Sequence, residues 1–261
     1  MESQIAPKDR IVLPLDVSSV AEAQILVDKL TSHVRMFKIG PEFIYATVAS
    51  LLIGDSEQAH YNLLGVRYLA RSIGGPRAFM DVKSSDIPNT VGKATLALSS
   101  MGVAWINVHA SAGIEAVKAA VANRGKSSIF GVTVLTSLKE TNVGTMDECW
   151  SIFGEVPLVK VMEFALMLRD AGAQGIICSP KELVHLRTHS ELDGMLLVTP
   201  GIRAKDAPAD DQRRTMTAGE AILAGADYLV IGRPITKASD PAAAADAFAE
   251  EIRQASLLPG A

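Results

Sequence analysis

Short apolar runs rich in Val, Ile and Leu recur along the chain, and longer segments with apolar residues every three or four positions alternate with them. The short runs predict strands at Ile11–Asp16, Arg35–Ile39, Ala78–Lys83, Trp105–His109, Ile129–Leu135, Gly175–Cys178, Leu196–Thr199 and Tyr228–Ile231. The longer segments predict helices: "SVAEAQILVDKL", "TVGKATLALSSMG", "GIEAVKAAVANRG", "PLVKVMEFALMLRDAG", "SPKELVHLRTHS" and "TAGEAILAGAD". Ser or Thr often opens them and Gly often closes them, as caps require. Strands that alternate with helices predict βαβ units and a parallel sheet. Eight such units in 261 residues fit a closed (β/α)8 barrel. The competing open, doubly wound sheet carries GxGxxG after its first strand, and none follows "IVLPLD". With no low-complexity linker and no repeat beyond the βα period, residues 1–261 are expected to form one barrel domain.

Two regions break the rhythm. Residues 41–76 hold helical pieces, "EFIYATVASLL" and "NLLGVRYLARS", around a polar "GDSEQAHY". The stretch 204–217, "AKDAPADDQRRTMT", is polar and charged and follows the seventh predicted strand. That is where barrels often fold a lid over a ligand, although long polar loops are commonly plain surface excursions.

Composition adds exclusions. Apolar residues make up 48% and charged residues 21% of the chain, with net charge −4, as in ordinary globular proteins. That balance predicts no general attraction to nucleic acid or to an anionic membrane, and leaves room for a local basic pocket that binds one phosphate. "MESQIAPKDR" does not read as a secretory signal, and no apolar run is long enough to predict a membrane span. Cys149 and Cys178 have no metal-ligand spacing, and two thiols in a chain of this size point to the reducing cytoplasm. The five histidines form no HExxH pair, so neither a metal nor an organic cofactor is expected.

In a barrel, functional groups come from the C-terminal ends of the strands. Those ends present Asp16, Lys38, Asp81 with Lys83, His109, Thr136 with Ser137, Ser179, Arg203 and Arg233. Asp81 and Lys83 are two apart on one strand and so share a face. With Lys38 from the neighbouring strand and Asp86 just beyond, they suggest a Lys–Asp–Lys–Asp chain of charges. In such a chain carboxylates favour the lysine ammonium, which can hand a proton to a carbanion as it forms. A salt-bridged brace of the barrel gives the same residue pattern. "VTPGIR" and "VIGRP" place Pro200, Gly201, Arg203, Gly232 and Arg233 after the last two strands. Exposed backbone N–H groups and forked arginine donors there match a phosphate, with Gln212 of the intervening loop as a further amide donor. His109 reads either as a general base or as a polar residue at the core edge. Thr136 and Ser137 either meet a ligand heterocycle or cap the next helix.

These segments resemble a known family. "DVKSSDIPNT" is similar to the DxKxxDIPNT signature of the orotidine 5′-monophosphate decarboxylases, and "LPLDV", "MFKIG", "VAWINVHASAG", "GVTVLTS", "VTPGIR", "DDQRRTMT" and "YLVIGRP" follow in the family's order. The resemblance implies a cofactor-independent decarboxylase that releases CO2 from orotidine 5′-monophosphate. It implies Asp16 and Lys38 at the ribose, Asp81 near the substrate carboxylate, and Lys83 as proton donor to C6. Thr136 and Ser137 would approach the pyrimidine, and Arg203, Gln212, Gly232 and Arg233 would serve the phosphate. Asp86 and Thr90 would reach the other subunit of a homodimer. Two departures stand out: Ser85 occupies a position where many relatives carry His, and the 41–76 segment is longer than in compact bacterial forms. The alternatives are a metal-dependent sugar-phosphate enzyme on the same barrel and a non-catalytic nucleotide-binding regulator. "DIPNT" and "DDQRR" argue against the first, and the intact Asp81, Lys83 and Asp86 against the second.

Overall fold

The computed structural model describes residues 5–53, 55–138, 148–204 and 215–258. Eight parallel strands close into a barrel in chain order. They are β1 (Ile11–Pro14), β2 (Met36–Ile39), β3 (Ala78–Ser84), β4 (Trp105–His109), β5 (Ser128–Val132), β6 (Gly175–Ile177), β7 (Leu196–Thr199) and β8 (Tyr228–Val230). The first half carries helices α1 (Val20–Leu30), α2 (Pro41–Ile53), α3 (Ser56–Ile73), α4 (Pro88–Ser99) and α5 (Ile114–Asn123). The second half carries α6 (Glu148–Phe153), α7 (Pro157–Asp170), α8 (Leu183–Arg187), α9 (Ala218–Leu223), α10 (Arg233–Thr236) and α11 (Pro241–Ala255). This is the expected (β/α)8 barrel. Every predicted strand is present, and several end earlier than the apolar runs suggest. β5 stops at Val132, because the apolar residues beyond it leave the sheet to form the wall of the mouth.

The two faces of each strand enter different cores. Ile11 and Leu13 face the helices, whereas Val12 between them joins an interior cluster with Met36, Phe79, Trp105, Phe130, Val198 and Tyr228. Within that cluster the Trp105 ring lies 4.4 Å from Phe130 and 4.8 Å from Tyr228 between centroids. These rings fill the lower barrel, so the interior is a packed floor beneath the mouth.

Caps define several helix starts. The Ser19 side chain accepts from the Glu22 N–H, Asp55 from the Gln58 N–H, and Thr217 with Glu220 closes a reciprocal box. The Asp55 cap explains why "GDSEQAHY" is mostly not a loop: α3 begins at Ser56 and absorbs the polar residues on its outer face. The expected helix pair in 41–76 is therefore α2 packed on α3, with α3 also packed on α1. Three helices lay outside the sequence-based expectation: the short α6 and α10, and the longer α11. The Ala-rich α11 starts at an Asp240 cap and packs on α1 and α9 through Ala245, Phe248, Ile252 and Ala255.

Helix α2 is unusual. Glu42 is its one charged residue, yet only Phe43 is buried. Tyr45, Val48 and Leu52 form an exposed stripe at helical spacing, and Tyr61, Leu64 and Tyr68 repeat that spacing on α3. Among the described residues, no helix is long and apolar enough to cross a membrane.

Candidate active site

The C-terminal ends of the strands surround a cavity of about 530 Å³. Its early side, from β1 to β3, is charged. Asp81 is 4% exposed, and each of its carboxylate oxygens holds an ammonium: Lys83 Nζ donates to Oδ1 and Lys38 Nζ to Oδ2, both at 2.7 Å. Lys38 also reaches Asp16 Oδ1 at 3.3 Å. Burial opposes charge on Asp81 and Lys38, and the neighbouring opposite charges outweigh it. Asp81 is held below the ordinary carboxylate range by Lys38 and Lys83, and Lys38 above the usual lysine range by Asp81 and Asp16. Gly40 keeps the space open, because a Cβ there would lie 3.1 Å from Lys38 Nζ and 3.4 Å from Asp16 Oδ1.

β3 does not run straight through this site. Met80 pairs with Ile106 and Ser84 with Val108, so β3 advances four residues while β4 advances two. The excess is taken up as a bulge in which Lys83 adopts φ 48°, the one positive φ outside glycine among the described residues. A left-handed lysine costs on the order of 1–3 kcal/mol and persists only where its surroundings enforce it. Asn107 of β4, fully buried, faces the bulge. Its Oδ1 accepts from the Lys83 backbone N–H at 2.7 Å, and its Nδ2 donates to Asp81 Oδ1 at 2.5 Å.

The opposite side of the cavity is formed after β7 and β8 by Pro200, Arg203, Gly232 and Arg233, together with Thr236 and Lys237. Gly232 sits tightly under the rim, where a Cβ would come within 2.9 Å of the Pro14 ring. The chain beyond Arg203 is clamped at its base: Ile202 bridges Met216, and the Arg203 N–H donates to the Met216 carbonyl at 3.0 Å. Apolar Val132, Val134, Leu135, Ile177 and Val230 line the space between the two polar sides, with Phe79 contributing from the floor. The site thus offers ammonium groups at one end, cationic donors at the other and an apolar centre, which suits an anionic, flat, phosphorylated ligand.

The family described as orotidine 5'-phosphate decarboxylase / HUMPS matches this chain over residues 9–248. The chain belongs to that family. It is 39% identical over 256 residues to the orotidine 5'-phosphate decarboxylase of Rhodopseudomonas palustris (strain BisA53), covering 97% of this chain and 98% of that protein. Against the enzyme of the same name from Moorella thermoacetica it is 39% identical over 254 residues, covering 94% and 92%. The crystal structure of orotidine 5'-phosphate decarboxylase from Lactobacillus acidophilus superposes with a TM-score of 0.69 at 28% identity, covering 94% of this chain and 99% of that one.

Within this decarboxylase-family barrel, the structure separates the residues singled out from sequence. Asp16, Lys38, Asp81, Lys83, Thr136, Pro200, Arg203, Gly232 and Arg233 all line the one cavity. Asp86, Thr90 and Ser137 are exposed outside its lining; Asp86 Oδ1 accepts from the Ile87 N–H at 2.6 Å. Within one protomer the chain of charges therefore runs Asp16–Lys38–Asp81–Lys83 and does not include Asp86. Gln212 and most of the 204–217 stretch lie outside the described residues. Ser179 caps a short turn with Glu182, while its neighbour Cys178 faces the cavity. His109 stands at the core edge with Nδ1 2.9 Å from Ser111 Oγ, its pKa pushed down by burial and then by Lys83. Asn107, Glu42, Thr236 and Lys237 were not anticipated. Asn107 shares the inner face of its strand with His109, yet nothing in the sequence around it separates it from an ordinary core polar residue. Among the described residues, no cluster of three His, Cys, Asp or Glu side chains is placed to hold a metal ion.

Proposed function

We propose that the protein decarboxylates orotidine 5′-monophosphate to UMP and CO2, the closing step of de novo pyrimidine nucleotide synthesis, without metal or organic cofactor and with Lys83 as the proton donor. The observation that carries this reading is the buried Asp81 carboxylate shared at 2.7 Å by two ammoniums at the edge of a cavity of about 530 Å³ whose far side carries Arg203 and Arg233. The C6–carboxylate bond breaks, CO2 leaves, and the electron pair remains on C6. Lys83 stabilises that pair electrostatically and gives it an N–H proton, and the resulting amine regains a proton from solvent. Asp81, held ionised, would sit near the substrate carboxylate, and it keeps Lys83 and Lys38 in place. Lys38 and Asp16 hold the ribose hydroxyls. Thr136 meets the pyrimidine, and Ser137, exposed beside the lining, would meet it once substrate fills the mouth. Pro200, Arg203, Gln212, Gly232 and Arg233 take the phosphate, whose binding far from C6 contributes to excluding water from the reaction.

The working form in this reading is a cytoplasmic homodimer. Both cysteines are buried and neither is in a disulfide, as a reducing compartment favours. Asp86 and Thr90 are exposed and outside the lining of their own cavity, so they are available to a partner's. The uncharged, exposed stripe of α2 supports a covered face, since a helix apolar all round is normally buried.

The direct test is to follow the ultraviolet absorbance of orotidine 5′-monophosphate with purified protein and a chelator. Loss of the substrate band with release of CO2 is expected. Turnover that disappears on chelation favours a metal-dependent reaction, and UMP binding without turnover favours a non-catalytic regulator. For the dimer, Lys83→Ala and Asp86→Ala proteins, each inactive alone, should regain about a quarter of wild-type activity after subunit exchange, because one site per mixed dimer is intact. No recovery after verified exchange contradicts the shared site.

A further inference from the structure

We propose that Asn107 is a positioning residue that sets the left-handed turn at Lys83 and so aims its ammonium at the reacting carbon. The inference rests on Lys83 being the proton donor. Asn107 is fully buried on β4, opposite the place where β3 carries its two surplus residues. The orientation of its amide is fixed by its partners. The Lys83 backbone N–H can only donate, so it meets the amide oxygen; the Asp81 carboxylate can only accept, so it meets the amide nitrogen. One side chain thus ties together the main chain of one charged residue and the carboxylate of the other.

The geometry explains why an amide of this length is needed. Asp81 Oδ1 receives both the Asn107 amide at 2.5 Å and the Lys83 ammonium at 2.7 Å, while Oδ2 is left to Lys38. Asn107 therefore fixes the plane of the carboxylate on which Lys83 rests. Its oxygen satisfies a backbone donor that the bulge takes out of the β3–β4 ladder, and this removes the incentive for Lys83 to return to ordinary strand geometry. An ionised carboxylate at this position lacks the donor, and an aliphatic side chain lacks both contacts.

The test separates this role from general support of the core. Asn107→Ala is expected to lower kcat about 100-fold per UMP-binding site, while KM and UMP affinity stay within about threefold, because the phosphate donors stand on the far side of the barrel. Retention of kcat within about threefold of wild type overturns the proposal. Asn107→Asp gives a second reading, against the titratable neighbours Asp81 and Lys83 on β3, Lys38 on β2 and His109 on β4. A carboxylate beside Asp81 is driven towards its protonated form. Once protonated, it again donates to Asp81 and accepts from the Lys83 N–H. The ratio of variant to wild-type kcat should therefore rise as pH falls, and a ratio that does not change with pH contradicts the proposal. A crystal structure of Asn107→Ala provides the arm that needs no substrate: Lys83 is expected to lose its positive φ and its contact with Asp81. Failure of the wild-type protein to decarboxylate orotidine 5′-monophosphate would refute the proposed reaction, whereas an unchanged Lys83 in that crystal structure would refute the positioning role.

Discussion

Phe79 and Asp81 are two residues apart on β3 and face the same barrel interior, yet they belong to opposite kinds of environment. Phe79 joins Trp105, Phe130 and Tyr228 in the aromatic floor, where burial is favourable for every group involved. Asp81 begins the mouth, where burial works against the charged groups and only their pairing makes it tolerable. The floor is regular strand. The mouth needs a bulge, a left-handed lysine and a buried amide to hold its charges in place. The difference teaches how the barrel divides its work: apolar layers supply stability, and the layer above them spends some of it on a preorganised electrostatic site.

Breaking the charged layer should produce the largest effect. Asp81→Ala leaves Lys38 and Lys83 partly buried without their carboxylate, so kcat is expected to fall about 10³-fold and stability by about 3–5 kcal/mol, read by initial rates and urea denaturation. Trp105→Ala should show the opposite profile, with about 3–5 kcal/mol of stability lost and kcat per folded site nearly unchanged. If Trp105→Ala also removes catalysis from fully folded protein, floor and mouth are not separable.

pH sharpens the same contrast. The folded pKa of Asp81 is depressed, so its contribution is present above the unfolded value near 3.9 and is lost as pH falls through the lower folded value. Lys38 is raised, so its contribution is present below about 10.4 and is lost as pH rises through its folded value. The stability of the Trp105→Ala protein should keep both limbs, whereas Asp81→Asn should flatten them, as urea midpoints across pH will report. The smallest effect belongs to Lys237. It is exposed on the cavity rim, and its side chain has no partner among the described residues. Lys237→Ala is expected to raise KM about threefold at low salt, less at high salt, with kcat unchanged.

How much of this was legible in the sequence follows from the same division. The floor and most helices announce themselves by period, because apolar burial repeats along every element; α11 escaped although Ala245, Phe248, Ile252 and Ala255 repeat at helical spacing, because it follows the last strand, beyond the intervals that the strand–helix alternation marks out. The charged pair Asp81 and Lys83 was legible from spacing alone, and Lys38 from its place at the end of β2. Residue spacing indicated a shared face for Asp81 and Lys83, although the structure achieves it through a bulge that spacing cannot reveal. Asn107 stayed hidden because a single buried amide in "WINVH" looks like any satisfied core polar residue until its two partners are seen. Thr236 and Lys237 were missed because they stand at the end of the short α10 and reach the cavity only through the turn of the chain after Arg233.

The central claim is that Asp81 holds Lys83 as the proton donor to C6. Single-turnover decarboxylation of orotidine 5′-monophosphate by Lys83→Ala tests it most directly, with UMP affinity measured alongside. The account predicts a rate reduced by about 10³-fold or more while UMP still binds. Decarboxylation at the wild-type rate by that variant would contradict it.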